Sequence, residues 1–303
     1  MYKYGVNKDF DPRNIVGDDY SKLDEKGYGN NEVQGPDADH GTHVAGIIGA
    51  NRQNDIGMKG VAENVKIMVL RAVPNGDERD KDIANAIRYA VDNGARVINM
   101  SFGKGYSPYK AYVDAAVKYA EKKGVLLVHA AGNDHANLDE TPNFPNKVFK
   151  KSGESAENWI EVGASSWGDE KNFVGSFSNY GKTTVDVFAP GVAIYSTVPD
   201  NKYDNHDGTS MAAPVVSGVA ALLMSYFPKL SAIDVKEIIL ESSIKYTDKE
   251  VNMPGKKSSI PFGKLSTTGG IVNVYAAVQL AEKWNSKKKK KERRKRRKRK
   301  KKK

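Results

Sequence analysis

The sequence predicts an α/β fold in three layers, with a mostly parallel central sheet flanked by helices. From residue 65 onward, apolar stretches of strand length alternate with amphipathic stretches of helix length. Strands separated by helices of this length imply parallel βαβ units with right-handed crossovers. The chain has 303 residues, of which 39% are hydrophobic, and this is enough for a large core in a soluble protein.

The elements follow from hydrophobic periodicity and from turn residues such as Gly94. The longest apolar stretch is interrupted by Pro214, Ser217 and Gly218, which favours a buried helix over a membrane span. In order, we predict a buried strand at 65–73, a helix at 82–94, a strand at 97–102, a helix at 109–124, strands at 125–133, 160–166, 184–191 and 193–198, a long helix at 209–227, and helices near 231–243 and 273–284.

Both ends of the chain differ from this pattern. Residues 1–39 are rich in Asp, Asn, Gly and Lys, and almost forty residues of loop are unusual at the start of a domain. We therefore expect a loop-rich N-terminal part at 1–34, one folded domain at 35–286, and a disordered tail at 287–303. The first residues do not resemble a signal peptide, and the absence of cysteine excludes disulfide and thiol chemistry.

The charge of the chain is concentrated in the tail. Of the seventeen residues 287–303, sixteen are Lys or Arg and one is Glu, a net charge of +15, so the total of +11 leaves −4 for the rest. Such a run cannot fold alone, because like charges repel and nothing apolar is available for burial. It is either a tail without a function or an arm that binds polyanions or directs nuclear targeting.

Three motifs carry candidate chemistry, and each has an ordinary structural explanation when taken alone. His40, in "DHGTH", precedes a helix of small residues, where a histidine can cap the helix or exchange protons. Ser210, in "GTSMAAP", starts the long helix, where a serine is commonly a cap. Asn133 follows the strand "VHAAG", where an asparagine commonly forms a turn but can also donate to an oxyanion.

Together and in this order, "HGTHVAGIIGA", "AAGN" and "GTSMAAPVVSGVAALL" resemble the subtilisin-like serine proteases, or subtilases. The segments "NMSFG", "GSFSNYG" and "VDVFAPGVAIYSTVP" match as well, so the resemblance covers roughly residues 35–284. It implies a subtilisin-like fold and a serine endopeptidase that forms an acyl-enzyme. By this resemblance Ser210 is the nucleophile, His40 the general base, and Asn133 the side-chain donor of the oxyanion hole.

The resemblance also implies a substrate site. Ser101, Phe102 and Gly103 would pair with an extended substrate, while Ala131 and Gly132 would line a roomy, apolar first specificity pocket. It further implies a cis peptide bond between Phe144 and Pro145.

The residues and the resemblance also give expectations about cofactors, partners and location. The chemistry needs no cofactor or metal, but "RQNDIGMKGVA" is similar to a calcium loop of the family, in which Asn54 would supply a ligand. The expected partners are protein or peptide substrates, together with nucleic acid or another polyanion at the tail. We expect a monomer that does not span a membrane, secreted or located at the cell envelope.

One member of the family's catalytic set is not found. Subtilases place an aspartate at the end of a buried strand upstream of the histidine, followed by Ser or Thr and Gly, and no aspartate here has that setting. Asp37 and Asp39 are too close to His40 in sequence to reach around its ring. Two explanations compete: a chain shortened at its N-terminus, which the intact His40, Asn133 and Ser210 favour, and a degenerate pseudo-protease. The alternative function is polyanion binding through the tail, which predicts steep salt dependence.

Overall fold

The computed structural model describes residues 12–74, 76, 78–168 and 171–284, and residues 287–303 of the predicted tail lie outside this part. Its helices are α1 (Asp39–Gly49), α2 (Asp80–Asp92), α3 (Lys110–Lys123), α4 (Thr209–Tyr226), α5 (Ala232–Glu241) and α6 (274–284). Its strands are β1 (Val97–Met100), β2 (Leu126–Ala130), β3 (Trp159–Ser165), β4 (Val187–Pro190), β5 (Ile194–Val198), β6 (Lys202–His206), β7 (Ile244–Lys245), β8 (Glu250–Asn252), β9 (Ser259–Pro261) and β10 (Gly270–Ile271).

Six strands form the central sheet in the order β1-β2-β3-β4-β10-β7. The pairs from β1 to β10 are parallel, and only β7 runs antiparallel to its neighbour. The hairpins β5–β6 and β8–β9 lie outside this sheet. The predicted fold class, a three-layer α/β fold with a mostly parallel sheet, is therefore confirmed.

The two faces of the sheet carry separate cores, because successive side chains of a strand point to opposite faces. Leu126 and Val128 of β2 pack with α4, α5 and α6, whereas Leu127 packs with α2 and α3. Helix α4 lies within the first of these cores, and most of its side chains are buried. It is the one described helix that is long and apolar enough to span a membrane, and its burial identifies it as a core helix.

The predicted helices are all present, but the predicted buried strand at 65–73 is wrong. These residues form no strand, and Ile67, Met68 and Val69 expose 44%, 41% and 51% of their surface. A fully buried strand needs neighbours on both of its edges, and no described strand pairs with this segment. Strand β1 likewise pairs with β2 alone among the described strands, so the sheet is open on its outer side.

The N-terminal part is attached to the domain by buried charges that the sequence did not reveal. The Lys81 side chain of α2 is completely buried, and its Nζ donates to Asp18 Oδ1, to Asp19 O (2.7 Å) and to Glu25 Oε2 (2.9 Å). Asp18 also binds Arg13, which reaches α2 through Asp82 (2.8 Å). Burial by itself would raise the pKa of Asp18, but the hydrogen bonds from Lys81 and Arg13 outweigh it and lower the pKa.

Candidate active site

Ser210 lies in the first turn of α4, at the positive end of a buried helix. The residue before the helix, Gly208, has φ of +151°, a conformation that side chains with a Cβ rarely adopt. Its N–H donates to Gly191 O (2.8 Å), which fixes the turn against the end of β4. The sequence thus places the Ser210 hydroxyl at a sharp turn into a helix N-terminus, where developing negative charge is stabilised.

Asn133 lies beside this turn with its amide group oriented by Thr209. Its Oδ1 accepts hydrogen bonds from Thr209 N (2.9 Å) and Thr209 Oγ1 (3.0 Å). The same hydroxyl accepts from Gly132 N (3.0 Å). Because the carbonyl oxygen of the amide is held by two donors, its NH₂ group faces away from them and makes no hydrogen bond to a described residue. Thr209 is therefore a site residue that the sequence reasoning missed.

A chain of hydrogen bonds joins α4 to the end of β1. Ser210 Oγ donates to Ser101 O (3.2 Å), and Ser101 Oγ donates to Ser210 O (2.8 Å). Asn99 Nδ2 donates to Ser101 Oγ (2.9 Å), and Ser217 Oγ donates to Asn99 Oδ1 (2.8 Å). Asn99 and Ser217 lie within the motifs quoted above, but only the hydrogen bond between β1 and α4 reveals their role. They hold the carboxyl end of β1 against Ser210.

Ser210 and Asn133 open into one cleft of about 320 Å³. Gly103 is kept close to the side chain of Asn143, since a Cβ on Gly103 would approach that side chain to 2.5 Å. The sequence reasoning missed Asn143, although it lies one residue before the predicted cis bond, Phe144–Pro145, which is present. The cleft is lined by Val73, Gly76, Glu78, Phe102, Gly103, Ala130, Gly132, Asn133, Asp134, Asn143, Thr209 and Ser210.

Two features of the cleft bear on the substrate site that the resemblance implies. Ala131 is completely buried and does not line the cleft; its carbonyl accepts from Asn143 Nδ2 (3.1 Å) and Asn179 Nδ2 (2.8 Å). The lining of the whole cleft is mixed, because Glu78, Asp134 and Asn143 contribute to it, and an apolar first specificity pocket within it stays a prediction. Small residues in the sequence indicated the room in the pocket, but not which distant polar side chains enter it.

His40 lies in the first turn of α1 and is exposed, unlike His43, which is completely buried. Nearby protein atoms still remove enough water from the His40 ring that burial lowers its pKa; positive charge on His206 lowers it further, and Asp39 and Asp37 oppose this. The neutral ring is the form that can accept a proton. No hydrogen bond joins His40 to Ser210 or to any other described residue, so the structure does not by itself assemble the expected pair.

No described carboxylate forms a hydrogen bond or an ion pair with the His40 ring. Asp39 Oδ2 lies 3.2 Å from His206 Nε2, and Asp18 is occupied by Lys81 and Arg13. That no aspartate of this part serves as the catalytic acid stays a prediction.

The loop predicted to bind calcium is exposed. Asn54 Oδ1 accepts from Ile56 N at 3.4 Å, and the described residues contain no group of three or more His, Asp or Glu side chains able to hold a metal ion. Calcium binding through the Asn54 side chain and backbone carbonyls stays a prediction.

Comparison with known proteins shows similarity over most of the chain. The sequence profile described as the subtilase family matches residues 7–267. The chain is 46% identical over 187 residues to a thermophilic serine proteinase of Bacillus sp. (strain AK1), covering 61% of this chain and 42% of that proteinase. It is 37% identical over 244 residues to subtilisin DY of Bacillus licheniformis, covering 79% of this chain and 77% of subtilisin DY.

Solved structures show the same likeness. A protease of Pseudoalteromonas arctica PAMC 21717 superposes with a TM-score of 0.63 at 30% identity, covering 80% of this chain and 70% of that one. The prenylagaramide maturation protease PagA superposes with a TM-score of 0.59 at 28% identity, covering 79% of this chain and 82% of PagA.

Proposed function

The chain belongs to the subtilase family, and on that premise we propose that it is a serine endopeptidase domain that cleaves peptide bonds through an acyl-enzyme at Ser210. The observation that carries the proposal is the joint placement of Ser210 and the oriented amide of Asn133 on one cleft. This combination supplies a nucleophile and a pre-oriented donor for the charge that acyl transfer generates.

In the proposed reaction, Ser210 Oγ attacks the carbonyl carbon of the scissile bond while His40 accepts the hydroxyl proton. The negative oxygen of the tetrahedral intermediate accepts hydrogen bonds from Asn133 Nδ2 and from the N–H of Ser210. The C–N bond then breaks as His40 returns the proton to the leaving amine, and water hydrolyses the acyl-enzyme by the same route. The hydrogen bond from Ser210 Oγ to Ser101 O has to be exchanged for one to His40 before the proton can move.

An imidazole needs a carboxylate to fix its tautomer and to stabilise its protonated form, and we propose that this group reaches His40 on a strand added beside β1. Two observations support the position. The outer side of β1 and the apolar segment 65–73 pair with no described strand. A parallel strand next to β1 would end near Ser101, which is hydrogen-bonded to Ser210. In subtilisin, a member of the same family, loss of the acid alone lowers kcat about 3 × 10⁴-fold.

The test is covalent labelling by a fluorophosphonate, which reacts with an activated serine. The samples are the chain, its Ser210→Ala variant, and a version extended at the N-terminus by a strand that ends in aspartate. We expect slow labelling of the chain, much faster labelling of the extended version, and none after Ser210→Ala. A folded, extended chain that does not react would overturn the proposal and identify a pseudo-protease.

We also propose that residues 287–303 bind polyanions, because they carry a net charge of +15 on a chain that is otherwise mildly acidic. Binding of a fluorescent single-stranded DNA to the full chain should weaken steeply with salt, with a log–log slope of about −0.7 per phosphate neutralised. Deletion of residues 287–303 should abolish the binding. Retention of salt-sensitive binding after the deletion would rule out the tail as its source.

Other properties remain predictions. Secretion or location at the cell envelope is expected from family resemblance alone, as is the monomeric state. Calcium binding at the loop around Asn54 is tested by the change of melting temperature on addition of a chelator to the intact chain.

A further inference from the structure

His206, at the end of β6, is a half-buried histidine near the candidate base. Its ring stacks on the ring of His43, with centroids 4.1 Å apart and planes inclined by 8°. Its Nε2 lies 3.2 Å from Asp39 Oδ2, so the two form a salt bridge when His206 is protonated. His206 therefore contacts the residue before His40 and the residue three positions after it.

The hairpin β5–β6 holds the beginning of α1 through further contacts. His43 Nε2 donates to Asp204 O (3.1 Å), Ser196 Oγ donates to His43 O (2.8 Å), and Thr197 Oγ1 donates to Thr42 O (3.0 Å). Because His40 makes no hydrogen bond of its own to a described residue, the position of its ring depends on how this helix turn is held. The contacts with the hairpin, including those of His206, determine that position.

The charged groups around His40 are few and come from two elements. Asp37 and Asp39 lie at the start of α1. The hairpin contributes His206 and Asp204, and the backbone carbonyl of Asp204 accepts from His43. Asp207 follows the hairpin, and its carboxylate accepts from Ala193 N (2.6 Å). Helix α4, which packs against α1, contains no charged residue. Burial and then the charge of His206 lower the pKa of His43, which favours its neutral form.

We propose that His206 is a positioning residue for His40: it fixes the start of α1 through Asp39 and His43, and in its protonated form it disfavours a proton on His40. His206 contacts the residue before His40 and the residue one helical turn after it, so a positive charge on His206 disfavours a second one on His40, and this is the electrostatic coupling to be tested. The effect keeps His40 in its neutral, proton-accepting form at a lower pH than it would reach without His206. The catalytic meaning of this inference rests on the proposed function, whereas the coupling itself does not.

The experiment is an NMR titration of the full chain with isotope-labelled histidines, in which the midpoint of His40 is followed directly. The variants are His206→Gln, which removes the charge and the stack, and His206→Phe, which removes the charge and keeps a ring on His43. Both should move the His40 midpoint to higher pH. The control is His135→Asn, which removes an exposed histidine at a residue with φ of +46° that asparagine tolerates, and it should leave the midpoint unchanged.

An unchanged His40 midpoint in both His206 variants would overturn the inference. A midpoint that moves in His206→Gln and stays at the wild-type value in His206→Phe would also overturn it, because packing rather than charge would then explain the effect. The acid limb of fluorophosphonate labelling gives the second readout and should move in the same direction as the midpoint. A shifted midpoint in this chain, together with an N-terminally extended version that folds and never reacts, would reject the proposed protease and retain the coupling, so the two proposals fail separately.

Discussion

The buried cation at Lys81 gives the sharpest test of how the N-terminal part is held to the domain. Replacing Lys81 with Met removes a charge with no exposed surface that bridges Asp18, Asp19 and Glu25. The Asp18 side chain is also completely buried, so the substitution leaves a buried carboxylate with Arg13 as its remaining partner, whereas Glu25 keeps 25% of its side chain exposed.

Breaking a buried pair by removing one partner typically costs about 3–5 kcal/mol. Because Arg13 still compensates part of the Asp18 charge, we expect the lower end, about 3 kcal/mol, and a fall in Tm of roughly 6 °C for a domain of this size. Urea unfolding followed by circular dichroism measures the loss, and Lys283→Met is the matched control because Lys283 is exposed on α6. The control should change stability by less than about 0.5 kcal/mol.

The pH dependence provides an independent check on the same residue. The pKa of Asp18 is lowered in the folded state, so this group stabilises the fold above its unfolded pKa of about 3.9, and the contribution is lost as the pH falls through the folded value. Lys81→Met should reduce this acid-dependent loss. If Lys81→Met lowers the free energy of unfolding by less than about 1 kcal/mol, the reasoning is refuted, because a loss that small is typical of an exposed ion pair.

Three further predictions concern the site. Asn133→Ala should lower kcat about 10²–10³-fold with little change in KM, the loss known for the equivalent donor in subtilisin, as measured with a peptide substrate on the extended, active chain. Gly208→Ala should destabilise the fold by about 1–3 kcal/mol in urea, because φ of +151° is strained for a residue with a Cβ. Burial and then the charge of His206 lower the pKa of His43 in the folded state, so the unfolded chain binds the proton at a higher pH than the folded chain does. The free energy of unfolding should therefore fall as the pH drops below about 6.5, the pKa of an unperturbed histidine. This fall should be less steep in His43→Gln.

For each of these three predictions, one result would contradict the reasoning. A rise in KM without a fall in kcat would mean that Asn133 binds substrate rather than the transition state. An unchanged urea midpoint for Gly208→Ala would mean that the turn relaxes at no cost. Equal acid slopes for His43→Gln and the wild type would assign the acid sensitivity to other groups.

The sequence predicts most of the fold because its helices and strands are locally encoded. The apolar period of α2 and α3, and the glycines that end them, are sufficient to predict both helices. The error at 65–73 has a physical origin: hydrophobic character shows that a segment is suited to burial, but the partners that bury it are elsewhere in the chain. Propensity alone cannot reveal that no described strand pairs with this segment.

The candidate site was predictable only in part for the same reason. Ser210, His40 and Asn133 lie in motifs whose local sequence is distinctive. The contacts that orient them join residues far apart in the chain, such as Ser217 with Asn99, or Thr209 with Asn133. A threonine before a serine looks like an ordinary helix start until the fold brings an asparagine to its hydroxyl.

The unpaired outer side of β1 also affects the handling of the protein in solution. An edge strand offers free N–H and C=O groups to any extended chain, and the apolar side chains of Ile67, Met68 and Val69 lie exposed in the segment that no described strand covers. Natural sheets block such edges with charge, and this segment has only Lys66 and Arg71 at its two ends. We therefore expect light scattering to rise with concentration, and a lysine in place of Val69 to suppress that rise.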